Sequence, residues 1–175
     1  MELYRIRASD SETACAGGGR VEWLTPAVIV DGRVQAPDWY GATPRVRHRR
    51  EVTFDRETGA FMITELFAGA GRHEIEVCFA GPRGEARAGL SERAAVRLAE
   101  VARQAPWARA GFDLSRVVEL GPARSPLAVL VPFANQGLDL ELRPTLRYLL
   151  RVSLPCVVNL AVVPFERKQD DPVQH

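Results

Sequence analysis

The sequence predicts a mainly β protein, an antiparallel β-sandwich of about ten strands with one amphipathic helix near residues 90–105. Three observations predict it. Apolar and polar residues alternate with period 2 through most of the chain, the pattern of half-buried strands. Gly, Pro and Asn punctuate these runs at short, roughly regular intervals. One stretch alone changes to helical spacing. A closed barrel is the nearest alternative.

Leu3 to Arg7 reads as a short strand, and Ala14 to Gly19 as a small-residue loop. Val21 to Leu24 and Ala27 to Val30 read as strand pieces split at Pro26. Asp31-Gly32 is a hairpin signal, because both residue types accept the positive φ of a two-residue turn, and it leads into Arg33 to Gln35. Residues 36–44 carry two prolines with Trp39 and Tyr40 and form a loop. Arg45 to Phe54 alternates most clearly. Arg56 to Gly59 is a turn, Ala60 to Phe67 returns, Ala68 to Gly71 is a second turn, and His73 to Phe79 runs again. Three runs joined by short turns predict an antiparallel meander.

From residue 90 to 105 the spacing is helical. Leu90, Ala94, Leu98, Val101 and Ala105 make one stripe, with Arg93, Arg97, Glu100 and Arg103 facing away. Ser91 is the expected N-cap, and Pro106 stops the helix. The stripe reads as a brace packed on the sheet. Strands resume at Ser115 to Leu120, Leu127 to Phe133, Leu138 to Leu142, Leu146 to Leu154 and Cys156 to Val163. Leu146 to Leu154 could pass for a helix on composition; flanking prolines and the β-branched run that follows favour strand. These elements make one domain over 1–164, with a polar tail at 165–175.

The 175 residues carry 23 basic and 22 acidic side chains, for a net charge of +1. This balance argues against global disorder, and against nucleic-acid or membrane-surface partners recognised mainly by charge. Of the basic residues all but Lys168 are Arg, which fits a GC-rich coding sequence. No run reaches the roughly 18 apolar residues of a membrane span. The amino terminus lacks the apolar core of a signal peptide. Cys15, Cys78 and Cys156 are widely spaced, odd in number and read as free thiols, two of them in apolar runs. Together these predict a cytoplasmic protein.

The familiar nucleophile, zinc-protease and phosphate-loop motifs are absent from the sequence. His48 and His73 stand near the starts of two expected strands, with Glu65 on the strand between. Two imidazoles and a carboxylate suit zinc if pairing joins them; otherwise they are solvated strand-end groups, and no cofactor is expected. In a strand, Arg45, Arg47 and Arg49 share one face, and Val46, His48 and Arg50 the other. A guanidinium fork grips carboxylate or sulfate bidentately, and an aromatic ring stacks on a sugar. The candidate ligand-binding residues are therefore Trp39, Tyr40, Arg45, Arg47, His48, Arg49, Arg50 and His73. The competing reading is a solvated face paired with Glu51, Asp55 and Glu57.

This stretch resembles a known family. Tyr40-Gly41, the segment from His48-Arg49-Arg50 to Asp55, Ile63-Thr64-Glu65-Leu66, Gly69-Ala70-Gly71-Arg72-His73 and Val77 to Pro82 resemble the carboxy-terminal β-sandwich of heparinase II/III-like polysaccharide lyases. Gly121 to Pro126, Leu154-Pro155 and a last strand ending at Pro164 echo it more faintly. The sequence departs from that pattern where Glu65 replaces an Asp, where Ala80 replaces a His, and where the helix at 90–105 intervenes. The family's metal set would thus lack a ligand. The all-α toroid that carries most of a lyase's catalytic residues is not in these residues, so the resemblance implies an accessory module rather than a working lyase. The expected function is binding of acidic polysaccharide or docking onto a catalytic partner. The alternatives are a structural or homo-oligomeric assembly protein, and a small metal-dependent enzyme built on His48, Glu65 and His73.

Overall fold

A computed structural model describes residues 3–8, 27–34, 46–78, 86–122, 126–145 and 147–165. The expected strand at 21–24, the loops at 14–19 and 36–44 and the tail from 166 lie outside them. Two strands of 18 residues form the spine: β5 (Phe61–Cys78) and β10 (Arg147–Pro164) pair antiparallel almost end to end. Beside the first half of β5 lie β4 (Val46–Asp55) and then β1 (Leu3–Ala8). Beside its second half lies β2 (Ala27–Val30), which turns into β3 (Arg33–Val34). On the other flank, β10 pairs first with β9 (Asp139–Arg143) and later with β8 (Ala128–Pro132). β7 (Val118–Leu120) and β6 (Ala86–Ala88) continue outward from β8. The protein is mainly β, and all these strands belong to one antiparallel sheet.

Two expected breaks are absent. The chain does not turn at residues 68–71, and it does not stop at Pro155. Gly71 takes φ 93°, and the β5–β10 register jumps between Leu154 and Cys156. Both strands therefore bend at the same level instead of reversing. Each bend is held because the partner strand continues on both sides of it. The three-run meander reduces to one hairpin, β4–β5. Its turn forms as expected: the Asp55 carboxylate accepts from the Glu57 N–H (3.1 Å) and the Thr58 hydroxyl (2.9 Å), and Gly59 takes φ 70°. Asp31 (φ 49°) and Gly32 (φ 76°) likewise form the expected tight hairpin. Strand β7 starts at Val118 rather than Ser115, because the Asp113 carboxylate captures the Ser115 N–H and hydroxyl in a turn.

The bend curls the sheet around an inner core. Ile63, Phe67, Ile75 and Val77 of β5 meet Tyr148, Leu150, Val152, Val158 and Leu160 of β10 there, with residues of β2, β4, β8 and β9. Both halves of the spine contribute to this one cluster. The opposite face of the first half builds an outer core from Met62, Val129, Val131, Ala161 and Val163, covered by α1 (Glu92–Gln104) and a 3-10 turn (Pro106–Ala110). The helix buries Ala94, Leu98 and Val101, with Ala105 just beyond it, as the stripe predicts; Leu90 instead stays 38% exposed. The Ser91 hydroxyl accepts from the Ala94 N–H at 3.2 Å. Ser91→Ala should lower stability by about 1 kcal/mol in denaturant unfolding. Buried Glu119 fixes the same end, accepting from the Ser91 N–H (3.0 Å) and from Arg87 (2.9 Å).

Arg97 does not face away. It donates to the Thr58 carbonyl (2.6 Å) and the Pro164 carbonyl (3.0 Å), tying α1 to the β4–β5 turn and the end of β10. Trp107 adds a second tie, donating through Nε1 to Asp55 at 2.9 Å. Phe165, expected at the start of the tail, is 8% exposed and packs in the outer core beneath the Arg93 guanidinium, 4.5 Å from its ring centre. Among the described residues, no helix is long and apolar enough to cross a membrane.

Candidate functional site

Strand alternation divides the arginine-rich segment of β4 between two environments. Arg47 and Arg49 point outward and are exposed, and Arg49 pairs with Glu51 at 2.6 Å. Val46, Arg50 and Val52 point inward and are buried, with half-buried His48 among them. The segment is therefore not one cationic surface. The hairpin register sets Arg50 directly across from Glu65. That places a charged pair inside the inner core, where Arg50 is 2% and Glu65 0% exposed.

The pair is satisfied from within. Arg50 donates through Nε to Glu65 Oε1 at 2.7 Å and reaches the same oxygen through its terminal nitrogen. The other carboxylate oxygen, Oε2, lies 2.7 Å from His48 Nε2. The His48 ring stacks on Phe67, with centroids 4.8 Å apart. From the other half of the spine, Tyr148 comes up against Glu65. Burial alone would raise the Glu65 pKa; the His48 hydrogen bond and the Arg50 charge outweigh it and hold the carboxyl below its ordinary value. Burial and the Glu65 charge push the Tyr148 phenol well above its ordinary range, and burial also raises the Cys156 thiol. A charge pair so placed costs more to desolvate than apolar packing would, and it persists only when each partner remains fully bonded.

His73 does not join this cluster. Glu65 pairs with Val158 and His73 with Val152, on opposite sides of the bend. The His73 ring instead meets the Asp31 carboxylate (2.8 Å, Nδ1) and the Ala70 carbonyl (3.0 Å, Nε2), next to the β2–β3 hairpin. A ring facing two oxygen acceptors donates through both nitrogens only as imidazolium. The two-His, one-carboxylate set is thus not assembled: His48 and Glu65 meet and His73 lies apart. Among the described residues, no three His, Cys, Asp or Glu side chains are grouped to hold a metal. Trp39, Tyr40 and Arg45 lie outside the described residues.

Sequence reasoning missed Tyr148. Its only signal is a phenol in an otherwise aliphatic inward row of β10, and its partner lies far away in sequence. The second half of the sheet shows why its outward charges are not a site either. Arg147 pairs with Glu76, and Arg151 with Glu74 and Asp139, in a solvated ladder across three strands. Compared with family models, curated proteins and solved structures, the chain matches none of them.

Proposed function

We propose that this chain is a non-catalytic module of β-sandwich type that binds acidic polysaccharide on the outward face of β4. In this reading it corresponds to the accessory sandwich of a heparinase II/III-like lyase, which it resembles in sequence. The observation that carries the proposal is the exposure of Arg47 and Arg49 on one strand face, two residues apart, while the intervening His48 turns inward. Two guanidinium forks in a row suit a repeating anionic chain, and neither is spent in the core. Trp39, Tyr40 and Arg45, the other candidate residues, precede the strand in sequence. The sandwich reading draws support from the inner core, which both halves of the curled sheet share.

Heparin, alginate and hyaluronate titrations at low salt test the proposal. Binding is expected, weakening as salt rises, and Arg47→Ala/Arg49→Ala should reduce it about tenfold or more. Absence of binding to all three, or equal binding by the double variant, would reject the glycan reading.

A second reading, assembly with another protein, has one observation in its favour. Val157, on the same outward row as Arg49 and Leu66, keeps 47% of its surface exposed beside the helix-covered region. Light scattering over a range of concentrations separates the two: a strict monomer that binds glycan supports the first reading alone.

A further inference from the structure

On the inner face, opposite Arg47 and Arg49, the structure assigns a second binding point: His48 Nδ1, a hydrogen-bond acceptor for a neutral hydroxyl-bearing ligand. The argument begins at its other nitrogen. His48 Nε2 and Glu65 Oε2 are 2.7 Å apart, so one of them donates. Glu65 is engaged by Arg50 through Oε1 as a carboxylate, and a carboxylate carries no hydrogen. The proton therefore sits on Nε2. In a neutral imidazole this leaves Nδ1 as a bare lone pair.

The ring that carries that lone pair is held in place and partly exposed. Arg50 fixes the carboxylate, the carboxylate fixes the imidazole, and Phe67 stacks against the ring. The His48 side chain retains 14% exposure while Glu65 has none, so the imidazole is the edge of the cluster that solvent reaches. Among the described residues, Nδ1 has no hydrogen-bond partner. The charged and titratable groups around the cluster are Arg50 on β4, Glu65 on β5, and Tyr148 and Cys156 on β10. Arg50 and Glu65 cancel each other, leaving a locally neutral setting. A bare nitrogen in such a setting attracts an O–H donor and repels an anionic oxygen. The ligand class is thus opposite to that of the outward arginine face, and the inference stands independently of the polysaccharide reading.

Nitrogen-15 spectra of the imidazoles at about pH 8, with His48 assigned through His48→Gln, test this on the intact chain. The Nε2–H tautomer should exceed the Nδ1–H tautomer by about ten to one or more, as a hydrogen bond to a carboxylate implies. Methyl glucoside, used as a neutral hydroxyl probe, should then shift the Nδ1 resonance, whereas acetate should leave it in place. A predominant Nδ1–H tautomer overturns the inference. So does an Nδ1 signal that responds to neither probe, or only to acetate.

Discussion

Replacing Arg50 with methionine should cost the fold about 3–5 kcal/mol, read from the shift in denaturant midpoint at pH 7. The loss comes from what remains behind. Glu65 would keep its buried position bonded to His48 but without the guanidinium that balances its charge, and an uncompensated buried carboxylate is among the most destabilising groups a core can hold. Arg50→Met/Glu65→Leu should recover most of the loss, since a buried ion pair exchanged for apolar groups of similar volume is often neutral or stabilising. A single variant within 1 kcal/mol of the parent would show that the pair is hydrated rather than buried. The pH profile gives a second readout. Because the folded state holds Glu65 below its ordinary value of 4.5, the carboxylate stabilises the fold above that pH. This contribution falls away as pH drops through the lower, folded value. In Arg50→Met, without the guanidinium, burial should lift the folded Glu65 value back toward or above the ordinary one, so the acid-induced loss from this carboxylate should shrink or reverse.

Leu98→Ala should cost about 2–5 kcal/mol, because Leu98 is 1% exposed and sits where α1 meets the outer core. The small side chains around it, Ala94, Ala161 and Ala105, bring helix and sheet close together and have little freedom to fill the vacated volume. Val96 on the same helix is 64% exposed, and Val96→Ala should change stability by no more than about 0.5 kcal/mol. Equal effects from the two substitutions, measured by urea unfolding, would place the helix off the sheet.

Local chemistry was readable in advance wherever it decides the outcome. The Asp31-Gly32 turn, the Ser91 cap and the shared face of Val46, His48 and Arg50 depend on near neighbours, and each is present. The pairing of Arg50 with Glu65 was missed although it too is local, because the length of the Asp55–Ala60 turn sets the register. What the sequence hid is nonlocal. Glycines at 69 and 71 and a proline at 155 look like chain breaks when each strand is read alone. They become bends because β5 and β10 support each other across them. Arg97 looks solvated on a helical wheel, yet the carbonyls of Thr58 in the β4–β5 turn and Pro164 at the end of β10 receive it. Tyr148 could not be placed beside Glu65 without knowing that the two halves of the spine share one core.

The spine also determines when the fold can form. The β4–β5 hairpin joins neighbouring segments, but the long partner of β5 begins only at Arg147. During synthesis the apolar inward row of Phe67, Ile75 and Val77 must wait uncovered while some seventy further residues are made. An unpaired strand edge of this kind invites pairing with other chains. Arg50 and Glu65 lie on that waiting face. Charges set within an otherwise apolar strand surface discourage such encounters, as gatekeeper residues do. The pair that burdens the finished core thus guards the nascent one.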